Sequence, residues 1–264
     1  MLFKEYLETY GYSDWTFEHP IENCCKRPDY FVRWGDREFL FEVKERRGTE
    51  VRARIGAVDP RKGIKEEIHE ARIKFREFKD YCCSLVIYNA GDPRTWLEPR
   101  HVFGAMLGDP GFTVDLTEDG KADLRSIQSV FLPRGGKMVR YKTGEFQNTT
   151  ISSIVILTRA RVPDPDFVRV RDREVAERQN RLGRTLDDEE RAEVRAESWW
   201  SHRPQVQHPP AVVVCENPGA PIPLPAELFT GPYDQRFALR DGVLIRTFTG
   251  CALTQAHGSN DAEI

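Results

Sequence analysis

The stretch from Pro28 to Lys44, PDYFVRWGDREFLFEVK, constrains the fold of this chain more than any other. Two runs rich in aromatic and β-branched residues meet at Gly35-Asp36, a dipeptide suited to the φ > 0 turns of tight hairpins. With those two residues as the whole loop, Trp34 faces Arg37, and antiparallel pairing runs outward until Asp29 meets Glu42. Side chains alternate between faces with period two, so Tyr30, Val32, Trp34, Phe39, Phe41 and Val43 are predicted to share an apolar face. Asp29, Arg33, Glu38, Glu42 and Lys44 share the other.

Carboxylates directly opposite across two strands have Cβ atoms roughly 5 Å apart, which is destabilising for like charges. The repulsion is on the order of 3 kcal/mol at an effective dielectric near 20, and about 1 kcal/mol when fully hydrated. A hard divalent cation removes it, because Mg²⁺ takes carboxylate oxygens and keeps waters and phosphate oxygens as its other ligands. Lys44 stands two residues beyond Glu42 on the same face, where an ammonium orients or deprotonates a water and steadies charge developing on phosphorus. Pro28-Asp29 followed by Glu42-Val43-Lys44 resembles the PD-(D/E)XK signature of the restriction-endonuclease-like nuclease superfamily. The resemblance implies Asp29 and Glu42 as ligands of Mg²⁺, with Mn²⁺ as a substitute, the carbonyl of Val43 as a further ligand, and Lys44 as the catalytic lysine. It implies a metal-dependent hydrolase of phosphodiester bonds, endonuclease or exonuclease, whose partner is nucleic acid, DNA rather than RNA. The alternative is a nuclease-like fold that binds nucleic acid or a protein without cutting.

The order of elements points to the same fold. Residues 2 to 10 are predicted helical, with Leu2, Phe3, Tyr6, Leu7 and Tyr10 on one side and Gly11 as the stop. A strand follows at Trp15 to His19, and then the hairpin. Asp59-Pro60 is a good helix start, and Ile64, Ile68, Ala71, Phe75 and Phe78 recur at helical spacing to about Asp80. Ser84 to Tyr88 reads as a buried strand. Helix, three strands, helix, strand resembles the αβββαβ core of the superfamily, an α/β (α+β) fold with a mixed central sheet flanked by helices. Further on, Pro99 to Leu107 reads as a helix ended by Gly108 and Phe112 to Leu116 as a strand. Ser129 to Tyr141 reads as a hairpin turning at Arg134-Gly135-Gly136, and Ile151 to Leu157 as a last core strand.

These readings predict a nuclease-like domain over residues 1–160 and a C-terminal helical and β extension over 161–264. In the extension, two charged helices are expected, Asp172 to Leu182 and a second from an N-cap at Thr185 to about Trp200. They read as a support or oligomerisation arm, a homodimer being one assembly it allows. Ala211 to Cys215 and Gly242 to Thr249 read as strands either side of a proline-rich wrapping segment.

The composition is that of a soluble globular protein, net charge −3 and pI about 6.1, which excludes a broad DNA-coating basic surface. Between Lys44 and Lys79, however, twelve Lys/Arg stand against seven Asp/Glu, beside the acid pair. Arg46, Arg47, Arg52 and Arg54 fall in a glycine-containing loop there and are candidates for phosphate contacts. Under the resemblance, Glu5 on the first helix completes the metal site, with Glu18 as its rival and an exposed helical Glu as the plain alternative. Lys74 is the helix residue that approaches the active site, although its spacing fits a solvated face equally. The six cysteines lack zinc-knuckle spacing and are expected as reduced, packed thiols. With no apolar leader and no membrane-length apolar run, the expected location is the cytoplasm, with no membrane partner.

Overall fold

The hairpin forms in the expected register. Strands β2 (Tyr30–Trp34) and β3 (Arg37–Arg46) pair antiparallel from Tyr30↔Phe41 to Trp34↔Arg37. The turn closes with Gly35 at φ +58°, the positive-φ position that favours glycine. The computed structural model describes residues 2–22, 24–47, 59, 61–90, 97–131, 135–140, 142–160, 162, 165–202 and 208–256.

Around the hairpin the chain builds a mixed sheet. β1 (Trp15–Phe17) pairs antiparallel with β2, while β4 (Cys82–Asn89) lies parallel to β3, and β7 (Ile151–Arg159) parallel to β4. Helix α2 (Lys62–Phe75) makes the parallel crossover from β3 to β4. The order continues through β8 (Pro210–Glu216), β9 (Gln235–Arg240) and β10 (Val243–Thr249), giving β1-β2-β3-β4-β7-β8-β9-β10. A separate two-stranded sheet joins β5 (Pro110–Thr113) to β6 (Gln128–Phe131).

Both faces of the large sheet are buried. One packs under α2 and α3 (Pro99–Leu107), with Phe31, Leu40, Leu85 and Ile87 against Ile64, Ile68, Phe75 and Phe103. The other packs under α1 (Leu2–Thr9), where Phe3, Tyr6 and Leu7 meet Tyr30, Val32, Phe39, Phe41, Leu228 and Phe229. The apolar face read from the sequence is therefore real, but the face carrying Asp29 and Glu42 is core as well, because Phe31 and Leu40 share it. Trp34, expected inside, is 41% exposed because it ends β2 at the turn, against the Tyr12 ring at 5.2 Å.

Two compact units divide the chain: Met1–Thr158 with Pro210–Ile264, and Arg159–Pro209. The second holds α4 (Pro165–Leu182) and α5 (Asp188–His202). The sequence division put 161–264 together in one extension, whereas β8, β9 and β10 extend the large sheet. β9 escaped the sequence reading; it turns into β10 at Asp241-Gly242, both at positive φ.

Four local expectations are corrected. The described residues of 129–141 do not form the expected hairpin: β6 pairs with β5, and Gly136, Lys137 and Met138 donate their N–H groups to carbonyls of Leu107, Ala105 and Met106 at the end of α3. The expected turn residue Arg134 lies outside the described residues. The strand expected at Phe112 to Leu116 is instead Pro110–Thr113. The cap of α5 is Asp187 and not Thr185: the Glu190 N–H donates to Asp187 Oδ1 at 2.9 Å and the Asp187 N–H to Glu190 Oε2 at 3.0 Å, a reciprocal capping box. α2 starts two residues after Pro60, its entry tied by the Arg61 N–H donating to Asp59 Oδ1 at 3.0 Å, and ends at Phe75.

Candidate functional site

β2 starts only at Tyr30, so on that side the N–H of Val43 on the longer β3 has no strand residue opposite it. The Asp29 carboxylate fills that place, Oδ2 accepting the Val43 N–H at 2.7 Å. This bond pins Asp29 beside Glu42 and leaves Oδ1 free to turn inward. There the Lys74 ammonium donates to Asp29 Oδ1 at 3.0 Å and also to Glu42 Oε2. The two acids thus share one cation. Lys44 Nζ pairs with the remaining oxygen of Glu42, Oε1, at 3.2 Å, and with Glu70 Oε2 at 3.2 Å. Three carboxylates and two ammoniums form one alternating network at the start of β2, roofed by the last turns of α2.

No protein-family model, no curated protein and no solved structure matches this chain. What the site can do is therefore set by its chemistry.

Burial shapes that chemistry. Glu42 is 5% exposed, and desolvation raises its carboxyl above the ordinary range; Asp29 pushes the same way, while the Lys74 and Lys44 ammoniums pull it back. Burial alone would lower the Lys44 ammonium, but the Glu42 and Glu70 carboxylates outweigh it and the net shift is upward. Lys44 is thus held charged. It suits electrostatic work and the orientation of a water better than proton abstraction at neutral pH.

Asp29 Oδ1 and Glu42 Oε2 already converge on one positive centre, and both are hard oxygen donors, so the pair fits a Mg²⁺ or Mn²⁺ ion in place of the ammonium. The N–H and C=O of one strand residue point to the same edge, so the Val43 carbonyl is directed to the side where Asp29 stands. Among the described residues, no group of three or more His, Cys, Asp or Glu side chains assembles as a metal cage. The oxygen donors that could hold such an ion are the two carboxylates and that carbonyl.

The other candidates divide. Lys74 reaches the acids. Glu5 lies on α1, whose buried side packs on the opposite face of the sheet. Glu18 follows β1, and its N–H donates to the Asp29 carbonyl at 3.0 Å. Arg46 turns back onto α2, donating to Glu67 Oε1 at 2.8 Å and covering Gly63, where a Cβ would stand 2.7 Å from the guanidinium carbon. Arg47 pairs with Glu45 at 3.1 Å on the surface. Arg52 and Arg54 lie outside the described residues. Glu70, absent from the sequence candidates, is one helical turn before Lys74 and so faces the same strand end; the i, i+4 pair is the signal that was there to be read.

Proposed function

We propose that this chain is a Mg²⁺-dependent nuclease of the restriction-endonuclease-like type, hydrolysing phosphodiester bonds in nucleic acid, with DNA the favoured substrate. The observation that carries the reading is the sharing of one cation by Asp29 and Glu42 with Lys44 on the same acid. The chain order of helix, three strands, helix and strand around that site supports the fold assignment. Asp29, Glu42 and the Val43 carbonyl would hold the ion. When bound, it polarises a phosphoryl oxygen and lowers the pKa of a coordinated water. Lys44, charged and braced by Glu70, orients the attacking water and faces the charge developing on phosphorus. Lys74 balances the acids while the site waits and is free to pair with a substrate phosphate once a divalent ion takes its place.

The test is cleavage of single- and double-stranded DNA and RNA with Mg²⁺, Mn²⁺ or EDTA. Cutting should require the metal and fall by about a hundredfold or more in Asp29→Ala and Lys44→Ala proteins, the scale of removing one electrostatic stabiliser. Undiminished cutting by those variants, or none by the native chain, would sink the assignment. One observation favours a non-cutting nucleic-acid binder: the Lys74 ammonium satisfies the acids without any metal. Calorimetric titration with Mn²⁺ separates the two, since a pure binder takes up no ion that Asp29→Ala abolishes.

A further inference from the structure

Beside the acid site, α2 and the segment carrying Lys137 bound a groove of about 480 Å³. Lys62, Lys65, Glu66 and His69 line it from successive turns of the helix, together with Asp59. Glu70, which also lines it, is the same carboxylate that holds Lys44 at 3.2 Å, so the groove and the candidate site share that residue.

Each acid in the groove lies near a cation, although Arg46 is shared with Glu67 and Lys44 with Glu42. Asp59 pairs with Arg61 at 2.9 Å and Lys65 at 3.6 Å, Glu66 with Arg46 at 3.9 Å, and Glu70 with Lys44. Lys62 and Lys137 are exposed and have no ion pair among the described residues. The lining carries three cations and three carboxylates, so its charges balance, and Lys62 and Lys137 are the two ammoniums not already engaged. The Lys137 wall is rigid: Gly136, Lys137 and Met138 donate to α3 carbonyls at 2.9, 2.9 and 2.8 Å, and the Asn148 side chain donates to the Lys137 carbonyl. A backbone held this firmly removes the loop-ordering part of the cost of binding and leaves only that of the lysine side chain.

We infer that this groove seats the phosphodiester backbone of the nucleic-acid strand, Lys62 and Lys137 pairing with phosphates next to the one presented to Asp29, Glu42 and Lys44. The inference rests on the nucleic-acid reading above and adds where the strand lies. It also replaces Arg46, which is committed to Glu67, as the source of phosphate contacts.

The experiment measures fluorescence anisotropy of a labelled DNA duplex and of its single strand with the full chain in EDTA, where cutting is stopped. It compares native protein with the Lys62→Gln/Lys137→Gln double variant from 50 to 200 mM salt. The variant should bind at least tenfold more weakly at 50 mM. Its plot of log K against log salt should be shallower by about 1.4 on the single strand and about 1.8 on the duplex, the yield of two lost phosphate contacts. Calorimetric Mn²⁺ binding should be unchanged, which reports an intact acid site. Equal affinity and slope in the two proteins, or no binding by the native chain, overturns the groove. Native cutting with unchanged variant binding leaves the nuclease and removes the groove; loss of binding without any native cutting keeps the groove and removes the nuclease.

Discussion

At Lys74 one side chain does what a metal would do, and the consequence is measurable. On the proposed reading its ammonium must leave Asp29 and Glu42 before a divalent ion can enter. Lys74→Met should therefore bind Mn²⁺ about tenfold more tightly, about 1.4 kcal/mol, of the order of one hydrated ammonium–carboxylate attraction. Calorimetry in metal-free buffer reads this directly, and an unchanged affinity refutes the competition. Glu42 makes a second case. Burial, aided by Asp29, raises its folded-state carboxyl above the unfolded value. The stability it lends is complete below the ordinary Glu value near pH 4.3 and is lost as pH rises through the higher folded value. Asp234, fully buried and raised by desolvation, acts in the same direction. Without metal, the denaturant midpoint of the native protein should fall between pH 4 and 8, and Glu42→Gln should lose less over that span. An identical profile in the variant would place the whole effect elsewhere.

At the scale of elements, α2 does most to position the site. Its apolar stripe of Ile64, Ile68, Ala71 and Phe75 fixes the helix over β3, and that docking aims Glu70 and Lys74 at the strand end. The stripe was legible in the sequence. The aim of the neighbouring positions was not, because helical spacing states which residues share a face but not what lies opposite it. The segment after β6 was misread for a related reason. Arg134-Gly135-Gly136 has turn chemistry, yet Gly136 is needed for close approach, not for a hairpin: a Cβ there would lie 2.1 Å from the Met106 carbonyl oxygen. Backbone cannot yield as a flexible side chain can, so Gly136→Ala should cost about 3 kcal/mol, at the upper end of overpacking effects. Chemical denaturation measures it, and a loss below about 1 kcal/mol would mean the α3 strap is looser than described. By the same physics the Asp187 cap, substituted by Ala, should cost about 1 kcal/mol, visible as reduced helicity or an earlier midpoint.

For the molecule as a whole, the return of residues 210–256 to the first unit matters most. Val212, Val214 and Cys215 are fully buried in β8, and Leu228 and Phe229 pack against Phe3 and Tyr6. The Tyr6 hydroxyl donates to Asp234, which also accepts the Val212 and Gly231 N–H groups. A chain ended at residue 160 should therefore be insoluble or unfolded, since it bares the β7 edge and uncovers α1. The converse deletion should be tolerated. The Ala160 N–H donates to the Pro209 carbonyl at 2.9 Å, so a short Gly/Ser loop can replace residues 161–208. That protein should keep a cooperative unfolding transition by circular dichroism, and failure to fold would make the helix pair part of the core. Among the described residues no helix is long and apolar enough to cross a membrane.

Local rules sufficed wherever neighbours in sequence are neighbours in space. The Gly35-Asp36 turn set the hairpin register and so brought Asp29 to Glu42; period two placed Lys44 on their face, and Pro99 and Gly108 bounded α3. The long-range choices belonged to the tertiary structure alone: Lys74 as the shared cation, Glu70 as the brace of Lys44, Arg46 turned inward, and β8 to β10 extending the sheet. Each depends on which surfaces bury one another across tens to hundreds of residues, and burial is a property of the packed chain that no spacing along it encodes.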